Sequence, residues 1–168
     1  MKSAAYNTIF ANHFCQYLID LGVHNFCISP GSRSTPITAA IARHPIAKKF
    51  IFHDERSAAF YALGISKETE KATAVITTSG TAVANTFPAV IEANQSYVPL
   101  LIISADRPVE LLDTGANQAI DQNKIFGTYV RKFVNFPCPD THFSSQMLAS
   151  TLSHCVFEAE GNKPGPVH

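Results

Sequence analysis

Apolar positions along this chain switch repeatedly between a helical and a strand-like period. Asn7 is placed to cap a helix carrying Ile9, Phe10, Phe14, Tyr17, Leu18 and Leu21 at helical spacing, with Gly22 closing it. Residues 23–28 form a short apolar run of strand character. Thr35 caps the next predicted helix, residues 37–43, and Pro36 sits in its first turn, where a missing N–H is harmless. Residues 49–53 make a second strand. Asp54 then opens a helix through Ala58, Ala59, Ala62 and Leu63, whose small side chains permit close packing. Residues 72–77 are a third strand. Gly80 and Thr81 begin a helix over 82–93 with Val83, Phe87, Val90 and Ile91 on its buried side.

Residues 98–104 read as apolar on both faces, as a central parallel strand should. A polar stretch, 106–122, is too long for a simple connection and is expected to be mobile unless a partner covers it. Residues 129–136 are a candidate fifth strand limited by Pro137. A last helix, 144–160, would turn Met147, Leu148, Leu152, Cys155, Val156 and Phe157 inward. Val167 would start a sixth strand, and the stop at His168 suggests a chain cut from a longer protein. Strands alternating with helices predict an α/β fold: a three-layer, doubly wound, mostly parallel sheet with helices on both faces.

Four of the predicted strands run into tight polar clusters: Ser29–Ser34, His53–Arg56, Thr77–Thr81 and Ser104–Pro108. In a parallel sheet these clusters share one edge, the edge at which open α/β sheets bind ligands.

Composition narrows the partners. Charged residues make up 15% of the 168, below the roughly 25% of an ordinary soluble domain, so part of the surface is expected to face another domain or subunit. Net charge is +0 with histidine neutral and no basic stripe is visible, which argues against nucleic acid. Cys15, Cys27, Cys138 and Cys155 lack any CxxC spacing, and buried free thiols are the expectation, with no zinc. His13, His24, His44 and His53 lack ligand spacing, so no metal site is expected in this chain. The N-terminus is not a signal peptide and no run approaches a membrane span; a reducing, cytoplasmic setting fits.

Each cluster has a plain structural explanation and a chemical one. Capping accounts for one hydroxyl of Thr77–Thr81 but not for four. Neither a GxGxxG turn nor a Walker lysine is present, so dinucleotides and P-loop nucleotides are not indicated. Asp54 is best explained as complementing a helix dipole. Glu55 stays open between that role and a second one: a carboxylate shielded at the sheet edge, with a raised pKa, exchanging a proton with a ligand nitrogen. Arg33 and Arg107 each follow a strand end beside hydroxyls, and two arginines converging on one crevice would grip carboxylates. Gln118 is recommended only by its loop.

At these clusters the chain resembles a known family. The segments SPGSRSTP (29–36), HDERSAAFYALG (53–64), TTSGTAVANTFPAVIEA (77–93), SADRPVEL (104–111) and TGANQAIDQ (114–122) resemble the N-terminal pyrimidine-binding domain of the thiamine-diphosphate enzymes, in the branch that serves menaquinone biosynthesis. The resemblance runs from about the first helix to the closing GPVH. It implies that residues 1–168 are that one domain and that the central and diphosphate-binding domains lie outside this chain. It further implies that Glu55 meets N1′ of the aminopyrimidine, favouring the imino form that deprotonates the thiazolium. Thr78, Ser79, Gly80 and Gln118 would touch the cofactor. Ser32, Arg33, Arg107 and Gln118 would line the substrate pocket.

The implied reaction decarboxylates 2-oxoglutarate and adds the succinyl-semialdehyde unit to isochorismate, whose two carboxylates suit arginine. Thiamine diphosphate and Mg²⁺ would be held largely by the missing domain, through a GDG…N-type motif that this chain lacks. A homo-oligomer, dimer or tetramer, would build the site between subunits, and this chain alone would be inactive. The alternatives are another thiamine-diphosphate carboligase or decarboxylase, and a non-catalytic α/β association module.

Overall fold

The computed structural model describes residues 2–168. Five parallel strands, β1 (Asn25–Ile28), β2 (Lys48–Ile51), β3 (Thr73–Thr77), β4 (Leu100–Ser104) and β5 (Pro166–Val167), form one sheet in the order β2-β1-β3-β4-β5. Between them run α1 (Lys2–Asp20), α2 (Thr35–Arg43), α3 (Glu55–Thr69), α4 (Thr81–Asn85), α5 (Phe87–Gln95) and α6 (Ser145–Glu160).

The inner strands β1, β3 and β4 are largely buried on both faces, whereas the edge strand β2 is mostly exposed, and the side chains of the inner strands alternate between two cores as the pleat requires. Phe26, Ile28, Ala74, Ile76 and Leu101 pack with Phe14 and Leu18 of α1, Ile41 of α2 and Leu148 and Leu152 of α6. Cys27, Val75, Leu100 and Ile102 point the other way, against Ala58, Ala59 and Ala62 of α3, Val83 of α4, and Ala89, Val90 and Ala93 of α5. The alanines of α3 and α5 let these helices lie close on the sheet.

Connections sort by direction. The chain moves from β1 outward to β2 through α2 on the first face, and back from β2 to β3 and on to β4 through α3, α4 and α5 on the second. After β4 it stays on the second face, where Phe126 is buried. It then rounds the sheet edge, and Val134, Phe136 and Phe143 pack on the first face. From there α6 returns it to β5. Constant crossover handedness demands this sorting.

The rounding also explains why 129–136 is no strand. Gly127–Tyr129 is a 3₁₀ turn, and pairing beyond β5 shrinks to one parallel bridge between Lys132 and Val167. The Arg131 guanidinium clamps this corner, donating to the carbonyls of Asn94 (3.2 Å), Lys163 (3.1 Å) and Pro164 (2.8 Å).

Other expectations shift locally. Asn7 lies inside α1, which begins at Lys2 because no breaker precedes it. Ser34, not Thr35, is the N-cap of α2. The helix expected over 82–93 is two helices meeting at Thr86: Pro88 has no N–H, and the Thr86 amide and hydroxyl both turn back to the Val83 carbonyl (3.1 and 2.8 Å). Ile91, Met147 and Phe157 are exposed, at 37%, 45% and 69%, because each stands one step off its helix's inward stripe. No described helix is long and apolar enough to cross a membrane.

Candidate active site

The strands end in step. Ile28 of β1 is level with Ile51 of β2 and Ile76 of β3, and Thr77 of β3 is level with Ser104 of β4. Backbone bonds carry the ladder past the strands, from Phe52 to Ile28, Ser29 to Ile76 and Ala105 to Thr77 (3.0, 2.9 and 3.0 Å). All four polar clusters therefore lie on one edge. Between β1 and β3 the chain leaves toward opposite faces, into α2 on one and α4 on the other, which makes this the topological switch point.

Two loops meet over that point. A Cβ on Gly31 would fall 2.2 Å from the Thr78 Cβ, so only glycine lets the Ser29–Ser34 loop rest on the Thr77–Thr81 turn. Gly80 has φ +80°, and a Cβ there would meet the Gln118 backbone at 3.0 Å. The Ser79 hydroxyl donates to the Gln118 carbonyl at 2.8 Å, and the Gly80 N–H donates to Gln122 Oε1 at 2.7 Å. Gln122, buried, also donates to the Ala105 carbonyl at 3.1 Å and lies 3.4 Å from Ser104 Oγ. The long stretch after β4 is thus tied down across the end of β3. Gln118 joins it through its backbone, at φ +57°, with an exposed side chain.

Glu55 is the first residue of α3, half-buried beside this edge. Asp54 is the N-cap; its Oδ1 accepts from the Ser57 amide (2.7 Å) and hydroxyl (2.8 Å), and those bonds lower its pKa. The capping role thus falls to Asp54, leaving Glu55 free to reach α4, where Asn85 Nδ2 donates to its Oε2 at 3.1 Å.

Several polar atoms here are buried without a partner: Ser29 Oγ, Thr77 Oγ1, Thr78 Oγ1 and Arg107 Nε. Such atoms are costly unless something pairs with them. Arg107 is half-buried, whereas Ser32 and Arg33 are exposed at the rim, and the two arginines share no bond or ion-pair partner among the described residues. Beside Arg107, desolvation raises the Asp106 carboxyl above its usual range despite the Arg107 N–H bonded to it at 2.7 Å. An apolar cavity of about 90 Å³ lies between the sheet and α1 and α6 and reaches this edge at its polar end, which Ser104 and His168 line.

Four expected site residues therefore meet directly or through one neighbour: Thr78 at Gly31, and Ser79 and Gly80 at Gln118. Glu55 joins them through α4. Sequence reasoning missed Gln122 and Asn85; both stood inside quoted segments, and nothing in their type separated them from solvated amides. Among the described residues no group of three or more His, Cys, Asp or Glu could hold a metal ion.

A doubly wound parallel sheet with a carboxylate, a hydroxyl-rich turn and two arginine-bearing loops on one edge defines a cofactor-binding domain. The chain belongs to the thiamine pyrophosphate enzymes: the family model for their N-terminal TPP-binding domain matches residues 9–125. Over its whole length it is 49% identical to proteins named 2-succinyl-5-enolpyruvyl-6-hydroxy-3-cyclohexene-1-carboxylate synthase from Pelodictyon phaeoclathratiforme, Chlorobium limicola and Haloarcula marismortui. It spans 28%, 29% and 28% of those relatives.

Proposed function

We propose that this chain is the pyrimidine-binding domain of an enzyme that decarboxylates 2-oxoglutarate and joins the succinyl-semialdehyde unit to isochorismate. The names of its relatives support the reaction. The observation that carries the reading is the position of Glu55, half-buried at the switch-point edge with its helix-capping duty taken by Asp54.

The residues present fit the pyrimidine half of thiamine diphosphate. The crevice has buried, unpaired hydroxyls on Ser29, Thr77 and Thr78 and one carboxylate with an oxygen to spare. Thiamine diphosphate, when bound, supplies the electron sink for decarboxylation and carbon–carbon bond formation. Glu55 holds a proton in common with the ring nitrogen. Thr78, Ser79 and Gly80 supply the wall beside it, and Gln118 closes it from above. Arg107, with Nε buried and unpaired, and Arg33 at the rim pair with substrate carboxylates, helped by Ser32.

On this reading the diphosphate and Mg²⁺ belong to a further domain of the same protein. The working form is a cytoplasmic homo-oligomer, and this chain alone is inactive. The test is turnover of the intact protein with isochorismate and 2-oxoglutarate, set beside pyruvate. Consumption of the first pair with release of carbon dioxide supports the proposal; turnover of pyruvate alone contradicts it.

A further inference from the structure

The Glu55 carboxylate is held on one side only. Asn85 Nδ2 donates to Oε2 at 3.1 Å, and Oε1 has no partner among the described residues. Asn85 reaches it because the helix after β3 is broken. The interruption ends α4 after five residues, at Asn85, with Thr86 turned back on Val83 and α5 restarting at Phe87. Asn85 therefore stands at a helix terminus, with its side chain crossing to the first turn of α3. A carboxylate is acceptor-only, so the amide must present its NH₂ and not its carbonyl, and that fixes the orientation of both groups.

We infer that Asn85 is a positioning residue for Glu55: its amide anchors Oε2 so that Oε1 faces the ring nitrogen of the bound cofactor. The inference rests on the role proposed above for Glu55. Asn85 itself touches neither substrate nor reacting atoms. It restricts the rotamers of a carboxylate that would otherwise swing at the start of a helix, and a hydrogen bond to a charged group is the stronger kind. The neighbouring acid cannot do this, since Asp54 Oδ1 is committed to Ser57. An aspartate at 85 would keep the shape and reverse the effect, because two carboxylates would face each other.

The experiment compares Asn85→Ala, Asn85→Asp and Glu55→Gln in the intact enzyme. It measures kcat, KM for 2-oxoglutarate, calorimetric affinity for thiamine diphosphate, and the thermal midpoint without cofactor. Asn85→Ala is expected to lower kcat and weaken cofactor binding by roughly tenfold, the scale on which outer partners of a functional ligand act. Asn85→Asp, although isosteric, should be worse on both. KM and midpoint should hold in both variants, since Asn85 is exposed. Wild-type kcat and affinity in both Asn85 variants, beside a Glu55→Gln enzyme that has lost turnover, overturn the inference and leave the role of Glu55 standing. Equal losses in the two Asn85 variants, tracking a lowered midpoint, also overturn it. Wild-type turnover by Glu55→Gln overturns that role and the inference together.

Discussion

Gln122 Oε1 accepts the Gly80 N–H at 2.7 Å while its Nε2 reaches the Ala105 carbonyl at 3.1 Å, so one buried amide joins the ends of β3 and β4. Two of its three partners are backbone groups, and the third, the Ser104 hydroxyl, lies 3.4 Å from Nε2. Replacing Gln122 with leucine keeps the volume and strands a buried N–H and a carbonyl. A loss of about 1–3 kcal/mol is expected. Urea unfolding should show a lower midpoint with the same slope; an unchanged midpoint would mean that water replaces the amide.

Gly31 and Thr78 form the other close junction. The clash of a Gly31→Ala side chain is with the Thr78 Cβ itself, at 2.2 Å, and only secondarily with Cγ2 at 2.7 Å and Oγ1 at 2.8 Å. Overpacking of this kind costs roughly 1–3 kcal/mol. Adding Thr78→Ala should not rescue the variant, because that Cβ remains, whereas Thr78→Gly should recover part of the loss. Full rescue by alanine would show that the loops have moved apart.

The division between what was readable and what was not follows range. Asp54 as a cap, the four strand-end clusters and the alanine face of α3 depend on neighbours in sequence, and each stands where the pattern put it. The break at Thr86 is legible too, because Pro88 in the first turn of α5 lacks the N–H that a continuous helix needs. Gln122 and Asn85 matter only through partners 42 and 30 residues away, and no local pattern announces such pairs. The supposed strand over 129–136 failed for a topological reason. Its residues change faces of the sheet, and β5, which follows it in sequence, lies between it and β4 in space.

Burial should govern thiol chemistry. Desolvation pushes the Cys27 thiol up to about 12 and Cys15 to about 11, and raises Cys155, while Cys138 is exposed. Thiolates are the reactive form. A thiol-specific reagent at neutral pH should therefore label Cys138 within minutes and the other three only on unfolding. Rapid labelling of more than one thiol in the folded chain would contradict the packing described.

His168 sets an acid dependence. Burial lowers its pKa from 6.5 to about 4, so the unfolded chain binds a proton over that window and the folded chain does not. Stability is then fully present above about 6.5 and falls as pH drops toward 4, by at most about 1.4 kcal/mol per unit. Thermal midpoints measured between pH 7 and 4 should decline, and a His168→Gln variant should decline less steeply. Parallel curves for the two would show that the imidazole is open to water.

Glu55 carries the functional account, and the turnover number of the intact enzyme with Glu55→Gln tests it most directly. The glutamine keeps the shape and can still bond to Asn85 but cannot exchange a proton with a ring nitrogen. A fall of roughly 10²-fold or more, with the thermal midpoint unchanged, is the predicted result. Turnover equal to the wild type would contradict it.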